Sequence, residues 1–497
     1  MPNAGFLSRA AAPARTWPSR RLFLVALCAF VVCWGFYWAL YFPGCCSTDS
    51  DDILKTVLGL DTYSSHFRYD GLSSHHPLLY TAAVAAVVAP IVALGGSVTV
   101  AVGAFSFLQM VVLAACVGAA TCWAARRGVP KAAVAAVIVF FALNPLVARF
   151  AVTLWKDIPF AGVLLLFCLV CCDIARTRGA WLSSRRRWAL FIVLASLVAL
   201  LRSNGALVAL AAVVALAVAC KPARGAILLR VVGAVAVVLI VQGVGARLAG
   251  VAPAHFAETV SLPLQQLART SFEGGQLGDD QQQVLYSILP QDRIAELFNE
   301  TTPNPLKFAP DFNDEYLESH KVEFISAWLG ALPANIGSYA RAWADETRGY
   351  WDVRQESWLV SSPGYDIVDA DENVTASLLG GLAESSAFGG DHPTDVMSRM
   401  LYPLCNAACL GWFALACLVI GLIFRKPGLA GMALPAVLLW VTMLLAAPIS
   451  NEFRYVFALH VLVPFLLCAF CRSASADDSR EGNAPASGAA RLSKEEG

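Results

Sequence analysis

Charge is scarce in this chain: Asp, Glu, Lys and Arg make up 14% of its 497 residues, while 58% are hydrophobic. Soluble globular proteins carry nearer a quarter charged residues, so an ordinary cytosolic enzyme and a disordered chain are both excluded. No basic stripe marks a folded domain, which excludes a nucleic-acid partner. No Gly-rich phosphate loop opens a helix and no His-Glu-x-x-His occurs, so the common soluble nucleotide and zinc-hydrolase signatures are missing. Cysteine is present but misplaced for a disulfide scaffold. Of 15, only Cys45 and Cys46 fall outside apolar stretches or their ends, and the long polar stretch 251–400 has none.

What is abundant is apolar sequence in long runs, with a mean hydropathy of +0.61. Ten runs approach or reach the length of a bilayer span: 22–41, 97–124, 132–149, 158–174, 188–201, 205–220, 226–248, 401–424, 429–448 and 454–471. The predicted fold class is an all-α polytopic membrane protein with about ten transmembrane helices. The runs 188–201 and 205–220 are short, and read as a hairpin whose tip, Arg202-Ser203-Asn204-Gly205, sits below the surface. The first run reads as a retained anchor rather than a cleaved signal.

A further run, 78–95, contains Pro90 and ends in Gly95-Gly96. With the basic leader inside the cell, its fate follows from the positive-inside rule. If 78–95 does not cross, the leader and the connections 126–131, 176–187, 221–224 and 425–426 all lie inside, with 16 basic residues and no acidic one. It is therefore predicted to be re-entrant or juxtamembrane. This gives a cytoplasmic leader (1–21), a transmembrane module (22–250) with a first outer loop (42–77), and an extracytoplasmic domain (251–400). The C-terminal transmembrane helices (401–471) and a disordered cytoplasmic tail (472–497) complete it. The outer domain holds 23 acidic and 8 basic residues. Its apolar spacing through Tyr316–Trp343 predicts mostly helix, with loops at Pro303–Pro310 and 361–392.

This topology sorts the charged residues near membrane level. The outer side receives Asp49, Asp51, Asp52, His66, His75 and His76 from the first loop, and Arg149, Lys156 and Asp157 from a later connection. Arg202, Asn204, Glu452 and Arg454 join them from two further connections. Ionisable groups at the hydrocarbon edge are costly unless paired or functional. Cations around a few carboxylates suit a phosphorylated substrate with a general base. Plainer readings exist at each position. Lys156-Asp157 also fits an ion pair at a helix start, Arg202 and Arg454 fit snorkelling arginines, and Asp51, Asp52, Asp61 and Asp70 fit a solvated loop. Asp49-Ser50-Asp51-Asp52 offers spaced carboxylates for a divalent cation, but no metal or other cofactor is predicted.

The order of these pieces resembles the GT-C superfamily of membrane glycosyltransferases, which take sugars from polyprenyl-phosphate donors. It is most similar to a bacterial multi-pass group of unassigned function within that superfamily. The matching stretches are Phe42-Pro43-Gly44 with Ser47-Thr48-Asp49-Ser50, His76-Pro77 with Thr81, Trp155-Lys156-Asp157, and Arg202-Ser203-Asn204-Gly205. Pro263-Leu264-Gln265-Gln266 with Arg269, Gly349-Tyr350-Trp351 and Ser450-Asn451-Glu452-Phe453-Arg454-Tyr455 follow. The resemblance implies that Asp49, the acid of the first loop, is the catalytic base.

The expected reaction is inverting transfer of a sugar from a polyprenyl-phosphate donor to an extracytoplasmic glycan, lipid or protein acceptor. Lys156, Arg202 and Arg454 are expected around the phosphate, with His76 orienting. Asp157, Asn204, Gln265, Arg269 and Glu452 are expected in support. The alternatives are a lipid or oligosaccharide flippase or transporter, an envelope ligase or polymerase, and a non-enzymatic scaffold. A transporter more often shows inverted repeats and mid-membrane charge, and neither is visible here.

Overall fold

Backbone amides inside a bilayer have no water to bond, so an apolar run there must close its own hydrogen bonds as a helix. The structure, a computed structural model, describes residues 19–60, 71–359, 362–363, 400–445 and 449–481. Among the described residues six helices are long and apolar enough to cross a membrane: Ser19–Leu40, Val98–Arg126, Asp157–Arg176, Lys221–Leu248, Pro427–Leu445 and Phe453–Phe470. The chain is an all-α polytopic membrane protein.

Six is fewer than the ten expected, and local chemistry explains the difference. The run 132–149 is two helices, Lys131–Leu143 and Pro145–Ala151, bent by 60°. The break falls where Asn144 caps the second helix, accepting from the Val147 amide, and where Pro145 has no N–H to give. Arg185–Leu201 has 17 residues but opens on three arginines, and Gly205–Ala219 has 15, because the polar tip between them ends one helix and starts the next. Ala407–Ile423 has 17 because Asn406 caps it late, through the Cys409 amide. The run 78–95 forms the 16-residue helix Leu78–Ala93.

Side-chain contacts fix which helix ends lie together. Ser19, Arg20 and Arg126 line one cleft. Arg127 pairs with Asp173, Gly428 sits against Cys172 and Arg176, and the Cys220 thiol approaches the Ile174 carbonyl. The basic connections therefore gather at one end of the bundle. At the other end, Trp38 donates to the Gly103 carbonyl at 3.0 Å, and Tyr80 donates to Gln109 at 2.8 Å. Leu78–Ala93 thus packs beside the far half of Val98–Arg126, away from the basic end.

A second core belongs to the domain 251–359, where Leu264, Leu267, Leu285, Ile288, Leu317, Phe324 and Tyr339 are buried together. The expected helical stretch through 316–343 is three helices, Asp314–Ser319, Lys321–Ala331 and Ile336–Thr347, separated at His320 and around Pro333. The expected loop Pro303–Pro310 contains one helical turn, Asn304–Lys307, with Pro305 in its first turn. The expected loop 361–392 lies outside the described residues except for Ser362–Pro363, which pair antiparallel with Cys45–Cys46. The last helix runs Phe457–Glu481, so the expected irregular tail is helical over 472–481, where no Gly or Pro interrupts it. Residues 482–497 lie outside the described residues.

One seam between the domain and the bundle is close-packed. Trp343 donates to the Leu444 carbonyl at 2.7 Å, and Trp440 donates to the Tyr350 carbonyl at 2.6 Å. The Tyr350 hydroxyl lies 3.0 and 3.1 Å from the carbonyls of Ile449 and Glu452. This close approach needs glycine beside Tyr350, because a Cβ on Gly349 would lie 2.0 Å from the Ser450 carbonyl oxygen. Gly349→Ala must push the connection 449–454 outward. Overpacking of this kind costs about 1–3 kcal/mol, so the variant is expected to unfold at lower temperature in detergent. An unchanged melting temperature would show that the seam is not the tight contact described.

A candidate active site at one end of the bundle

The site begins with the helix Thr48–Leu58. Ser47 starts it: its amide donates to Ser50 Oγ at 3.0 Å, and Ser50 in turn donates to the Leu154 carbonyl at 2.7 Å. Trp155 donates to Ser47 Oγ at 2.5 Å, and the Cys45 amide and carbonyl bond Val152 and Leu154. The first loop is thereby stitched to the connection 152–156. Asp49 falls in the helix's first turn, where the N-terminal dipole favours a carboxylate.

Two cations from other connections meet that carboxylate. Lys156 Nζ lies 2.9 Å from Asp49 Oδ2, and an Arg454 nitrogen lies 3.1 Å from the same oxygen. Burial alone would raise the Asp49 carboxyl, but Arg454 and Lys156, with help from His76, hold it well below the usual carboxylate range. Asp49 keeps 25% of its side chain exposed, so it remains reachable. Arg454 also lies 3.2 Å from Glu452 and over the rings of Trp155 and Tyr455. Burial pushes Glu452 up to about 7 against the pull of Arg454.

Arg202 stands apart from this pair. It lies 2.7 Å from Asp157, donates to the Tyr455 carbonyl at 3.1 Å, and stacks over Phe160 and Tyr455. Tyr455 is thus flanked by both arginines, but each arginine serves its own carboxylate. The expected convergence of three cations is therefore a convergence of two, Lys156 and Arg454.

His76 and Asp52 form a further pair, with Nε2 and Oδ2 3.8 Å apart. Burial, and then Lys156, push His76 down to about 3. Burial, and then the Asp49 charge, push Asp52 up to about 6. Neither ring nitrogen of His76 has a hydrogen-bond partner among the described residues, so it does not orient Asp49 or the cations directly.

A family model described as a family of unknown function (DUF6020) matches residues 69–484. The chain belongs to that family. The match takes in His76, Lys156, Asp157, Arg202, Glu452 and Arg454 and begins after Asp49 and Asp52. No curated protein and no solved structure matches the chain.

The remaining expected residues divide. Asn204 donates to Thr442 at 2.8 Å and so ties the hairpin tip to Pro427–Leu445. Gln265 donates to the Asn299 carbonyl, and Arg269 pairs with Asp345 at 2.6 Å. Both belong to the second core rather than to the Asp49 cluster. Asp51 and Asp52, expected in a solvated loop, are buried. The helical spacing of Ile53, Leu54, Val57 and Leu58 is the signal that places their helix against the bundle. His66, Asp61 and Asp70 lie outside the described residues.

Sequence reasoning also missed a buried polar group in the second domain. Lys307 donates to Glu258 and to Ser261 at 3.1 Å, and the neighbouring Glu346 is fully buried, with neither carboxylate oxygen hydrogen-bonded among the described residues. Burial raises Glu346 to about 8 despite Lys307. A lone Glu in a polar domain gives no sequence signal for such burial.

Removing one partner of a buried ion pair strands the other charge, at about 3–5 kcal/mol. With Asp157 1% exposed, Arg202→Met is expected to lower stability by that order, and Arg202→Met/Asp157→Leu to recover much of it. Thermal unfolding of the purified variants checks this. Wild-type stability in Arg202→Met would mean that Arg202 is not a structural partner.

Proposed function

We propose that the chain is an inverting, GT-C-like membrane glycosyltransferase that moves a sugar from a polyprenyl-phosphate donor to an extracytoplasmic acceptor. The observation that carries this reading is the meeting of Lys156 and Arg454 on one oxygen of a partly exposed Asp49. The acceptor hydroxyl gives its proton to Asp49 as its oxygen bonds the sugar's anomeric carbon. The bond from that carbon to the donor phosphate breaks, and the phosphate leaves with the electron pair. Lys156 and Arg454 stabilise the charge growing on it, the arginine through its fork and the lysine as a point charge.

The same cations explain how a strongly acidic carboxyl becomes a base. In the resting site they hold Asp49 ionised and weakly basic. A bound phosphate draws them away, and Asp49 basicity rises when the donor is in place. One base with no enzyme nucleophile gives inversion at the sugar carbon.

The topology belongs to the same reading. Ten passages run between the two ends of the bundle, with the short and bent helices included and Leu78–Ala93 left out. The basic end is cytoplasmic, both termini lie there, and the domain 251–400 is outside. A cysteine introduced beside Arg127 should resist impermeant label in intact cells; labelling it from outside overturns this topology.

Consumption of polyprenyl-phosphate sugar by membranes carrying the chain tests the reaction. Asp49→Asn is expected to reduce it about 10²–10⁴-fold, the usual range for a general base. Lys156→Met and Arg454→Met should each lose about ten- to a hundredfold, as for a charge-assisted contact of about 1.5–3 kcal/mol, while Asp51→Asn stays near wild type. Wild-type turnover in Asp49→Asn would rule Asp49 out as the base.

A further inference from the structure

The basic end of the bundle carries more positive charge than its own acids balance. Asp173 is engaged there by Arg127 and accepts from the Trp123 indole at 3.2 Å. Arg20 and Arg126 have no carboxylate at ion-pair distance among the described residues. They belong to different helices, Ser19–Leu40 and Val98–Arg126, yet both line one cleft of about 390 Å³. That volume is in the range of small-molecule sites. The leader brings no counter-charge, because residues 1–18 hold Arg9 and Arg15 and no acid.

The remaining wall of the cleft is apolar. Phe23 and Leu24 come from the first helix, while Cys122 and Ala119 lie one and two turns before Arg126 on the second. The Cys122 thiol donates to the Ser19 carbonyl at 3.4 Å, and the Phe23 ring lies beside Gly118, so the two helices touch behind the arginines. From Leu24 an exposed stripe continues in steps of four residues through Cys28, Val32 and Phe36. On a helix that crosses a membrane, such a stripe faces acyl chains.

A ligand for this cleft therefore needs a negative headgroup joined to a hydrocarbon chain. We propose that the cleft binds one anionic phospholipid, with its phosphate between Arg20 and Arg126 and an acyl chain along Leu24, Cys28 and Val32. An arginine fork can take two phosphate oxygens, and basic recesses between spanning helices suit lipid headgroups. Snorkelling alone sends an arginine to any headgroup. Two arginines that share a recess select by charge, since a choline headgroup brings its own cation towards them. The site does not depend on the glycosyltransfer reading.

Native mass spectrometry of the delipidated full-length chain in detergent, titrated with phosphatidylglycerol and with phosphatidylcholine of the same acyl chains, tests this. One phosphatidylglycerol per chain is expected to bind at least about tenfold more tightly than phosphatidylcholine, the scale of a charge-assisted contact. Arg20→Gln and Arg126→Gln should each abolish that preference. Arg185→Gln, which removes one charge from another basic connection, should keep it. The two cleft variants lie on different helices, and each is checked for folding by its melting temperature. No preference in folded wild type overturns the site, as does a preference that both cleft variants retain. Equal loss in Arg185→Gln shows bulk charge rather than a cleft and also overturns it. Displacement of the lipid by an equal concentration of glycerol phosphate overturns the lipid assignment. A preference that appears only in Asp477→Asn/Asp478→Asn assigns the cleft to the chain's own acidic tail instead.

Discussion

A carboxylate drawn into the end of a helical bundle is costly unless cations reach it, and Asp49 is reached by two that come from distant parts of the chain. Lys156 arrives 107 residues later and Arg454 another 298 after that, both on the same oxygen. That one contact requires three inter-helix connections to open at the same end, and it requires each to be held rigidly. The Ser47–Trp155 bond, the Ser50–Leu154 bond and the Tyr350 contact with the connection 449–452 supply that rigidity. Much of the polar chemistry at this end of the bundle reads as scaffolding for a single ion triad.

The fold was legible to the extent that hydropathy alone decides it. Long apolar runs with few charges can bury their backbone only as helices in lipid, and six of them do so at full length. Hydropathy could not say where a run is cut short by capping. Asn144 and Asn406 each begin a helix inside what reads as a continuous apolar run, and Pro145 accompanies the bend between Lys131–Leu143 and the helix that Asn144 begins. In the polar domain the pattern was right about helix and wrong about continuity, because an apolar period survives the short breaks at His320 and Pro333 that interrupt the hydrogen-bond ladder.

The site was legible by side and not by partner. Sorting charges by topology brought Asp49, Lys156, Asp157, Arg202, Glu452 and Arg454 to one end, and that is where they lie. It could not distinguish Arg454, which shares Asp49, from Arg202, which serves Asp157, because both arginines flank Tyr455 and both follow a helix break. Gln265 and Arg269 carried no signal separating a site role from a core role. Their helix, Ser261–Phe272, packs inside the second domain, and Arg269 finds its counter-charge there in Asp345.

The distribution of ionisable groups through the bundle bears on what kind of protein this is. A pump or flippase that carries charge needs titratable groups along a path through the middle of the membrane. Here the charged groups stratify: Arg20, Arg126, Arg127 and Arg176 with Asp173 at one end, the Asp49 cluster at the other. The buried histidine between helices, His460, has both ring nitrogens occupied, one by Asn144 at 2.9 Å and one by the Leu404 carbonyl at 2.6 Å. Those bonds tie Phe457–Glu481 to the Asn144 break and occupy both ring nitrogens. Among the described residues the bundle is tied across its middle by such bonds, and one end carries a partly exposed acid between two cations.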